Sequence, residues 1–241
     1  MWTLSYSPGA DNNGAMKLAA LLLDIDGTLL DTREFILSAF EHTISLLGGV
    51  APSREEIAQE VGRPLEDIYR EILGSGRESP AVAAHRDFQS TNLALVAAFP
   101  GAATALASVR ERGIRLAGVT SRSERTAIPS LELAGLAAYF QTVVAAEDTV
   151  ALKPDPAPLR LALERMGVGP QAALMVGDTS HDILAGRVLG MRTLAATYGF
   201  QGKNVLAAQP DGVLNSISEL PEAVRALGPG QGRLRYDATT D

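Results

Sequence analysis

The chain has no cysteine among its 241 residues. Disulfides, thiolate catalysis and cysteine-bound zinc are therefore excluded. Histidine is scarce: His42, His85 and His181 are the only three, and they are scattered. Their scatter argues against a histidine-rich metal centre. No apolar run approaches the ~18 residues of a membrane span. The N-terminus lacks a basic segment followed by an apolar one, so the reading is a cytoplasmic protein without a secretory signal. Basic charge is also in short supply. Twenty-one Lys and Arg stand against 28 Asp and Glu, a net charge of -7. That argues against a general partner of nucleic acid or anionic membrane, both of which demand basic patches.

What is present is an ordinary globular balance, 46% hydrophobic and 20% charged. The length suits one large domain, or a core with a smaller module. Residues 1–15 are polar and aperiodic and read as a disordered extension. Met16-Lys17 looks like a natural beginning, so translation is expected to be able to start there. Residues 228–241 are Gly-rich and polar and read as a flexible tail.

Between these ends the pattern divides. Residues 18–23 are a short apolar run suited to a buried parallel strand. Residues 32–99 then show helical signals and no strand signals. Asp31-Thr32-Arg33-Glu34 resembles a capping box opening a helix over 35–47, and Ser53 with Glu56 forms a second one. Further helices are expected over 65–73 and 80–98. From Pro100-Gly101 onward strands alternate with helices. Strands are expected at 114–119, 142–145, 172–176, 192–196 and near Val213; helices are expected at 102–112, 123–134, 156–166, 181–189 and 218–227. Pro129 should lie in the first turn of its helix or kink it. This alternation predicts an α/β fold: a three-layer, Rossmann-like parallel sheet with helices on both faces, carrying an inserted all-helical block. The core is assigned to 16–31 and 100–227, the insertion to 32–99.

The chemistry gathers at the ends of those strands, where open parallel sheets bind ligands. The first ends in LLLDIDGTLLD, residues 21–31. Its carboxylates Asp24 and Asp26 are expensive at a strand end unless a metal ion or a reaction uses them. Gly27 permits a sharp turn and brings backbone amides near a ligand. Thr28 offers a hydroxyl. Asp31 reads equally as a helix cap. The 114–119 strand ends in Thr120-Ser121, the next leads to Lys153 in a KPDP loop, and the 172–176 strand ends in Asp178, with Asp182 following. Several carboxylates with a lysine and a hydroxyl suit Mg²⁺ and a phosphoryl group, because Mg²⁺ takes hard oxygen ligands while ammonium and hydroxyl donors hold phosphoryl oxygens. Read singly, Asp178-Thr179 and Asp182 are also a helix N-cap and a first-turn carboxylate, and His181 reads as a surface residue.

DIDGTLLD, VTSR, KPDP and GDTSHD, in that order, resemble the four signature motifs of the haloacid dehalogenase superfamily, phosphoglycolate-phosphatase-like members in particular. The likeness runs from about Lys17 to Ala226. It implies that the helical insertion is a cap, with FPG at 99–101 its return to the core. It implies Asp24 as nucleophile and Asp26 as general acid and base. Thr120, Ser121, Lys153 and Gly27 would contact the phosphoryl group. Asp24, Asp26 (through its carbonyl) and Asp178 would bind Mg²⁺, and Asp182 and Thr28 would support the site. One departure is that Ser121-Arg122 stands where many close relatives carry Asn-Lys.

The activity that follows is Mg²⁺-dependent hydrolysis of a small phosphorylated metabolite, phosphoglycolate-like or a sugar phosphate, through an aspartyl-phosphate, in a monomer or homodimer. Members resembling the dehalogenases lack an Asp at the Asp26 position. Phosphonatase-like members use a cap lysine, and no lysine occurs between Lys17 and Lys153. A phosphosugar mutase resembling beta-phosphoglucomutase keeps both aspartates and remains the alternative. A non-catalytic phosphoacceptor or binding protein is the alternative of another class. Within the insertion, Arg63 in GRPL, and Arg86, are the candidates for contacting a substrate carboxylate or second phosphate.

Overall fold

The apolar run that opens the described segment becomes the central strand of a sheet, in a computed structural model that describes residues 18–226. The expected N-terminal extension, the start at Met16 and the C-terminal tail lie outside those residues. In chain order the strands are β1 (Ala20–Leu23), β2 (Leu30–Asp31), β3 (Ala97–Ala98), β4 (Arg115–Val119), β5 (Thr142–Val144), β6 (Ala173–Gly177), β7 (Arg192–Ala196) and β8 (Gly212–Leu214). The helices are α1 (Arg33–Leu46), α2 (Arg54–Glu60), α3 (Leu65–Leu73), α4 (Glu78–Thr91), α5 (Ala102–Glu111), α6 (Glu124–Leu133), α7 (Ala157–Met166), α8 (Ser180–Val188) and α9 (Leu220–Ala226).

Six strands pair in the order β5-β4-β1-β6-β7-β8, every pairing parallel. The chain moves outward from β1 through β4 to β5, then returns to β6 on the other side of β1. The order reverses at β1, which puts its carboxyl end at the switch point where such sheets bind ligands. Alternation along β1 divides the core. Leu21 and Leu23 join one cluster with Leu106, Val109, Leu220 and Val224 of α5 and α9. Ala20 and Leu22 join another with Leu159, Ala162 and Ala185 of α7 and α8. All four β1 side chains are fully buried, as a strand covered on both faces requires.

Four helices, α1–α4, fill the segment between β2 and β3, and its apolar side chains join the same buried cluster as Leu21 and Leu23. Phe35, Phe40, Ile44, Ile57, Ile68, Tyr69 and Val82 are buried in it, and α4 packs on α1 and α3. Ser53 and Glu56 form the capping box on α2.

Several expectations are corrected. Residues 32–99 do contain a strand, because Leu30–Asp31 and Ala97–Ala98 pair antiparallel where the chain leaves and re-enters the core. The 80–98 helix is accordingly shorter: α4 ends at Thr91, followed by a 3-10 turn over Leu93–Leu95. Thr32 forms no side-chain cap, since its backbone is not extended and its buried hydroxyl has no partner. Asp31 instead accepts the Arg33 N–H at 3.3 Å. Pro129 lies in the middle of α6, past the first turn.

Candidate active site

Asp24 follows β1 directly, and its N–H donates to the Val176 carbonyl at 2.9 Å. The ladder to β6 thus continues one residue past the strand and fixes the Asp24 backbone. Two residues on, the chain doubles back. Leu29 and Leu30 N–H groups donate to the Ile25 carbonyl, and Gly27 N–H donates to the Leu30 carbonyl at 2.9 Å. Gly27 therefore does something other than expected, because its amide is spent within the turn. Its necessity is spatial. It has φ +78°, and a Cβ there would come within 2.3 Å of Asp178 Oδ2.

The four strand ends do converge. Lys153 Nζ donates to Asp24 Oδ1 and to Asp182 Oδ1, both at 2.6 Å, and to the Val119 carbonyl at 2.9 Å. Its three donors are all used. Asp182 is equally committed: its other oxygen accepts the Thr179 N–H at 3.1 Å and the Thr179 hydroxyl at 2.7 Å, the capping box of α8. Asp178 accepts the Thr28 hydroxyl at 3.3 Å and the Phe200 N–H at 2.6 Å. Thr120 donates its hydroxyl to Asp26 Oδ2 at 3.3 Å, and accepts the Arg122 N–H at 3.0 Å. Every one of these side chains is buried.

Burial sets the electrostatics. It raises the Asp24 carboxyl to about 7; Lys153 pulls it down, while the Asp182 and Asp26 charges push it further up. Burial also raises Asp178 well above the ordinary carboxylate value, and the Asp24 and Asp182 charges add to it. For Lys153 burial opposes the charge, but Asp182 and Asp24 outweigh it and lift the ammonium above the usual lysine value. One ammonium for three crowded carboxylates leaves the cluster short of positive charge. Oxygens of Asp24, Asp178 and Asp182 lie within 4.8 Å of one another. A hard divalent cation fits this donor set, and would supply the missing charge. Since Asp182 is saturated by Lys153 and Thr179, Asp24 and Asp178 are the side chains freest to ligate it.

A pocket with roughly 870 Å³ of empty, solvent-open space lies over these groups, walled by the core and by the helical insertion. Asp24, Asp26, Thr120, Ser121, Lys153 and Asp182 line it. Arg63 and Arg86 line it as well. Arg63, however, is held by Glu60 and by Glu71 (2.5 Å), so its charge is already matched.

Four residues that sequence reasoning missed belong to the site. Arg122 lines the pocket, with Nε 3.3 Å from Asp26 Oδ2 and its guanidinium 5.2 Å from the Phe35 ring centroid. Its signal was the substitution after Thr120. His181 is a correction: it is half-buried and lines the pocket, its Nδ1 is buried without a partner, and burial lowers its pKa. Gly199 is needed because a Cβ there would meet Asp178 Cβ at 2.3 Å and the Gly27 carbonyl at 2.4 Å. Phe200 supplies the N–H on Asp178. Both follow β7 in a loop with no chemical residue type to announce it.

Comparison with known proteins agrees with this geometry. The family described as haloacid dehalogenase-like hydrolase matches residues 21–196. The chain is 34% identical over 211 residues to the pyrophosphatase PpaX of Halalkalibacterium halodurans, covering 87% of this chain and 98% of that one. It is 34% identical over 215 residues to a protein of Cupriavidus necator named "phosphoglycolate phosphatase, plasmid", covering 86% and 93%. A solved haloacid dehalogenase-like family hydrolase from Streptococcus pneumoniae superposes with TM-score 0.78 at 26% identity, covering 86% and 98%. With the matched segment running from β1 to the end of β7 and holding the whole carboxylate–lysine cluster, the chain belongs to the haloacid dehalogenase-like hydrolase family.

Proposed function

We propose that the protein is a Mg²⁺-dependent phosphomonoester hydrolase, acting through an aspartyl-phosphate on a small phosphorylated metabolite. The observation that carries this reading is Lys153 Nζ at 2.6 Å from both Asp24 and Asp182, beside the three-aspartate cluster. Such a lysine fixes one Asp24 oxygen and leaves the carboxylate otherwise directed at the pocket.

The Asp24 carboxylate attacks phosphorus in line, forming an acyl-phosphate bond as the bond from phosphorus to the leaving oxygen breaks. Asp26 gives its proton to that oxygen. Asp26 then takes a proton from a water molecule, which attacks phosphorus and releases inorganic phosphate and free Asp24. Thr120 and Ser121 orient the phosphoryl oxygens, and Lys153 joins them when an incoming phosphoryl oxygen takes over one of its three hydrogen bonds. Asp24, Asp178 and the Asp26 carbonyl would hold Mg²⁺, which when bound offsets the repulsion between carboxylate and phosphate. Asp182 and Thr28 position Lys153 and Asp178. The helical insertion, residues 32–99, acts as a cap that closes the pocket and limits water to the hydrolytic molecule. The β2–β3 ribbon at its base is the hinge. The named activities of the relatives, on pyrophosphate and phosphoglycolate, support small anionic substrates.

The test is phosphate release with Mg²⁺, and after chelation, over phosphoglycolate, pyrophosphate, sugar phosphates, nucleotides and an aryl phosphate. Asp24→Asn is expected to abolish turnover with the fold intact. Wild-type-like release from that variant would remove the nucleophile assignment. Isomerised sugar phosphate in place of free phosphate would identify a mutase.

A further inference from the structure

The guanidinium of Arg122 is not accounted for by the chemistry above. Its side chain is 6% exposed, yet Nε, Nη1 and Nη2 all lack a hydrogen-bond partner. Its contact with Asp26 at 3.3 Å is an ion pair without hydrogen-bond geometry. Phe35 beneath the cation offers a ring face and no acceptor. A buried fork of donors with no acceptor is costly unless an anion completes it. Of the other two guanidiniums lining the pocket, Arg63 already has its carboxylates and Arg86 is only half-buried, while Lys153 donates all three of its protons within the protein. Arg122 is thus a buried cation of the pocket with unspent donors.

Its position says which part of a substrate it meets. Arg122 touches Asp26, the group that protonates the leaving oxygen in the reading above, and its N–H donates to Thr120, whose hydroxyl donates to Asp26. Whatever hangs from the leaving oxygen lies next to Arg122, while the transferred phosphoryl group lies toward Asp24 and Lys153. On the helical wall of the same pocket stands Gln89. It is 4% exposed and lines the pocket, and among the described residues its side-chain amide makes no hydrogen bond. Gln89 and Arg122 come from different parts of the fold and share one vacancy in their bonding.

We propose that Arg122 and Gln89 form a subsite for an anionic group carried on the leaving side of the substrate. The enzyme would then select phosphoryl compounds whose leaving group bears its own negative charge a few atoms from the bridging oxygen. A carboxylate or a second phosphate satisfies this equally, the first as an α-oxy acid and the second as an anhydride. The planar fork of Arg122 receives two oxygens of either, and the Gln89 amide donates to a third contact. Selection follows from the same vacancy: a neutral leaving group leaves the guanidinium as unsatisfied as before, so it binds without that gain.

The inference rests on the phosphatase reading, and the experiment separates the two. Phosphoglycolate and pyrophosphate are compared with ethylene glycol monophosphate, which keeps the phosphoglycolate skeleton but replaces the carboxylate by a neutral hydroxymethyl. In wild type, kcat/KM is expected to favour at least one anionic substrate over the neutral one by about 10-fold or more. Arg122→Gln should reduce that preference by about 10- to 100-fold, and Gln89→Ala by about 5-fold, the range for lost charged and neutral hydrogen bonds. Arg122→Lys, which keeps charge but not the fork, should fall between. Gln89→Ala and Arg122→Lys keep the test decisive should Arg122→Gln fail to fold. Equal wild-type rates on charged and neutral leaving groups would overturn the subsite while leaving the phosphatase intact. Equal losses on both in the variants would make Arg122 a positioning residue for Asp26 and also overturn it. Absence of Mg²⁺-dependent phosphate release from every compound would instead remove the parent reading.

Discussion

Gly199→Ala adds one methyl group at a position that carries no catalytic side chain. The backbone of Gly199 lies outside the left-handed region, so the substitution brings no conformational strain of its own. Its effect is entirely steric. The new Cβ would stand 2.3 Å from Asp178 Cβ, 2.3 Å from Asp178 Oδ2 and 2.4 Å from the Gly27 carbonyl. None of these is the free end of a flexible side chain. Asp178 is pinned by Thr28 and Phe200, and Gly27 by its own turn. Relief requires moving the loop or the carboxylate, so the cost should sit at the upper end of overpacking, about 2–3 kcal/mol. For a chain of this length that is a fall in Tm of roughly 4–12 °C. Because the displaced carboxylate is a proposed metal ligand, half-saturating Mg²⁺ for turnover should also rise about 10-fold or more. Gly169→Ala is the matched control, since its Cβ would find only Gln171 Oε1, at 3.8 Å, and should change stability by less than about 0.5 kcal/mol. Calorimetric melting of both variants and a Mg²⁺ titration of activity provide the readout. A Gly199→Ala protein that melts with wild type and keeps its Mg²⁺ dependence would refute the argument that this loop fixes Asp178.

The contrast between Gly199 and Asp178 also explains how far the sequence could be read. Asp24, Asp26, Thr120, Lys153, Asp178 and Asp182 were legible because each is a polar residue closing an apolar strand pattern, and a parallel sheet brings such ends together. Gly199 and Phe200 were not, because what they contribute is an empty space and a backbone N–H, neither of which has a residue-type signature. Arg122 showed only as a departure from the Asn-Lys of relatives; its burial depends on Phe35, 87 residues away in sequence and on another element. His181 read as surface because a helix N-terminus usually is, whereas the helical insertion covers it: a Cβ on Gly62 would come within 3.1 Å of His181 Nδ1. The same long-range pairing hid β3. Ala97–Ala98 has no strand pattern of its own and is extended because Leu30–Asp31 lies beside it.

Leu22→Ala, at a fully buried position on the central strand, should destabilise the fold by about 3 kcal/mol in denaturant unfolding; a loss under about 1 kcal/mol would contradict the two-faced burial of β1. Saturating Mg²⁺ should stabilise wild type, by about 2.7 kcal/mol at one hundred times its Kd, and should do much less for Asp178→Asn; equal stabilisation of both would count against Asp178 as a ligand. The last prediction concerns His85, buried in the helical insertion with Nδ1 2.7 Å from the Tyr69 hydroxyl. Burial, helped by the Arg86 charge, lowers its pKa from 6.5 to about 3. The unfolded chain therefore takes up this proton below pH 6.5 while the folded chain refuses it, so the stability His85 supports is complete above that pH and drains away as pH falls toward 3. Between pH 7 and pH 5 the loss from this one group is about 2 kcal/mol. Chemical unfolding of wild type and His85→Gln at both pH values isolates it: the variant should lose about 2 kcal/mol less than wild type over the interval, whatever its stability at pH 7, and parallel losses would mean that His85 takes up its proton as readily folded as unfolded.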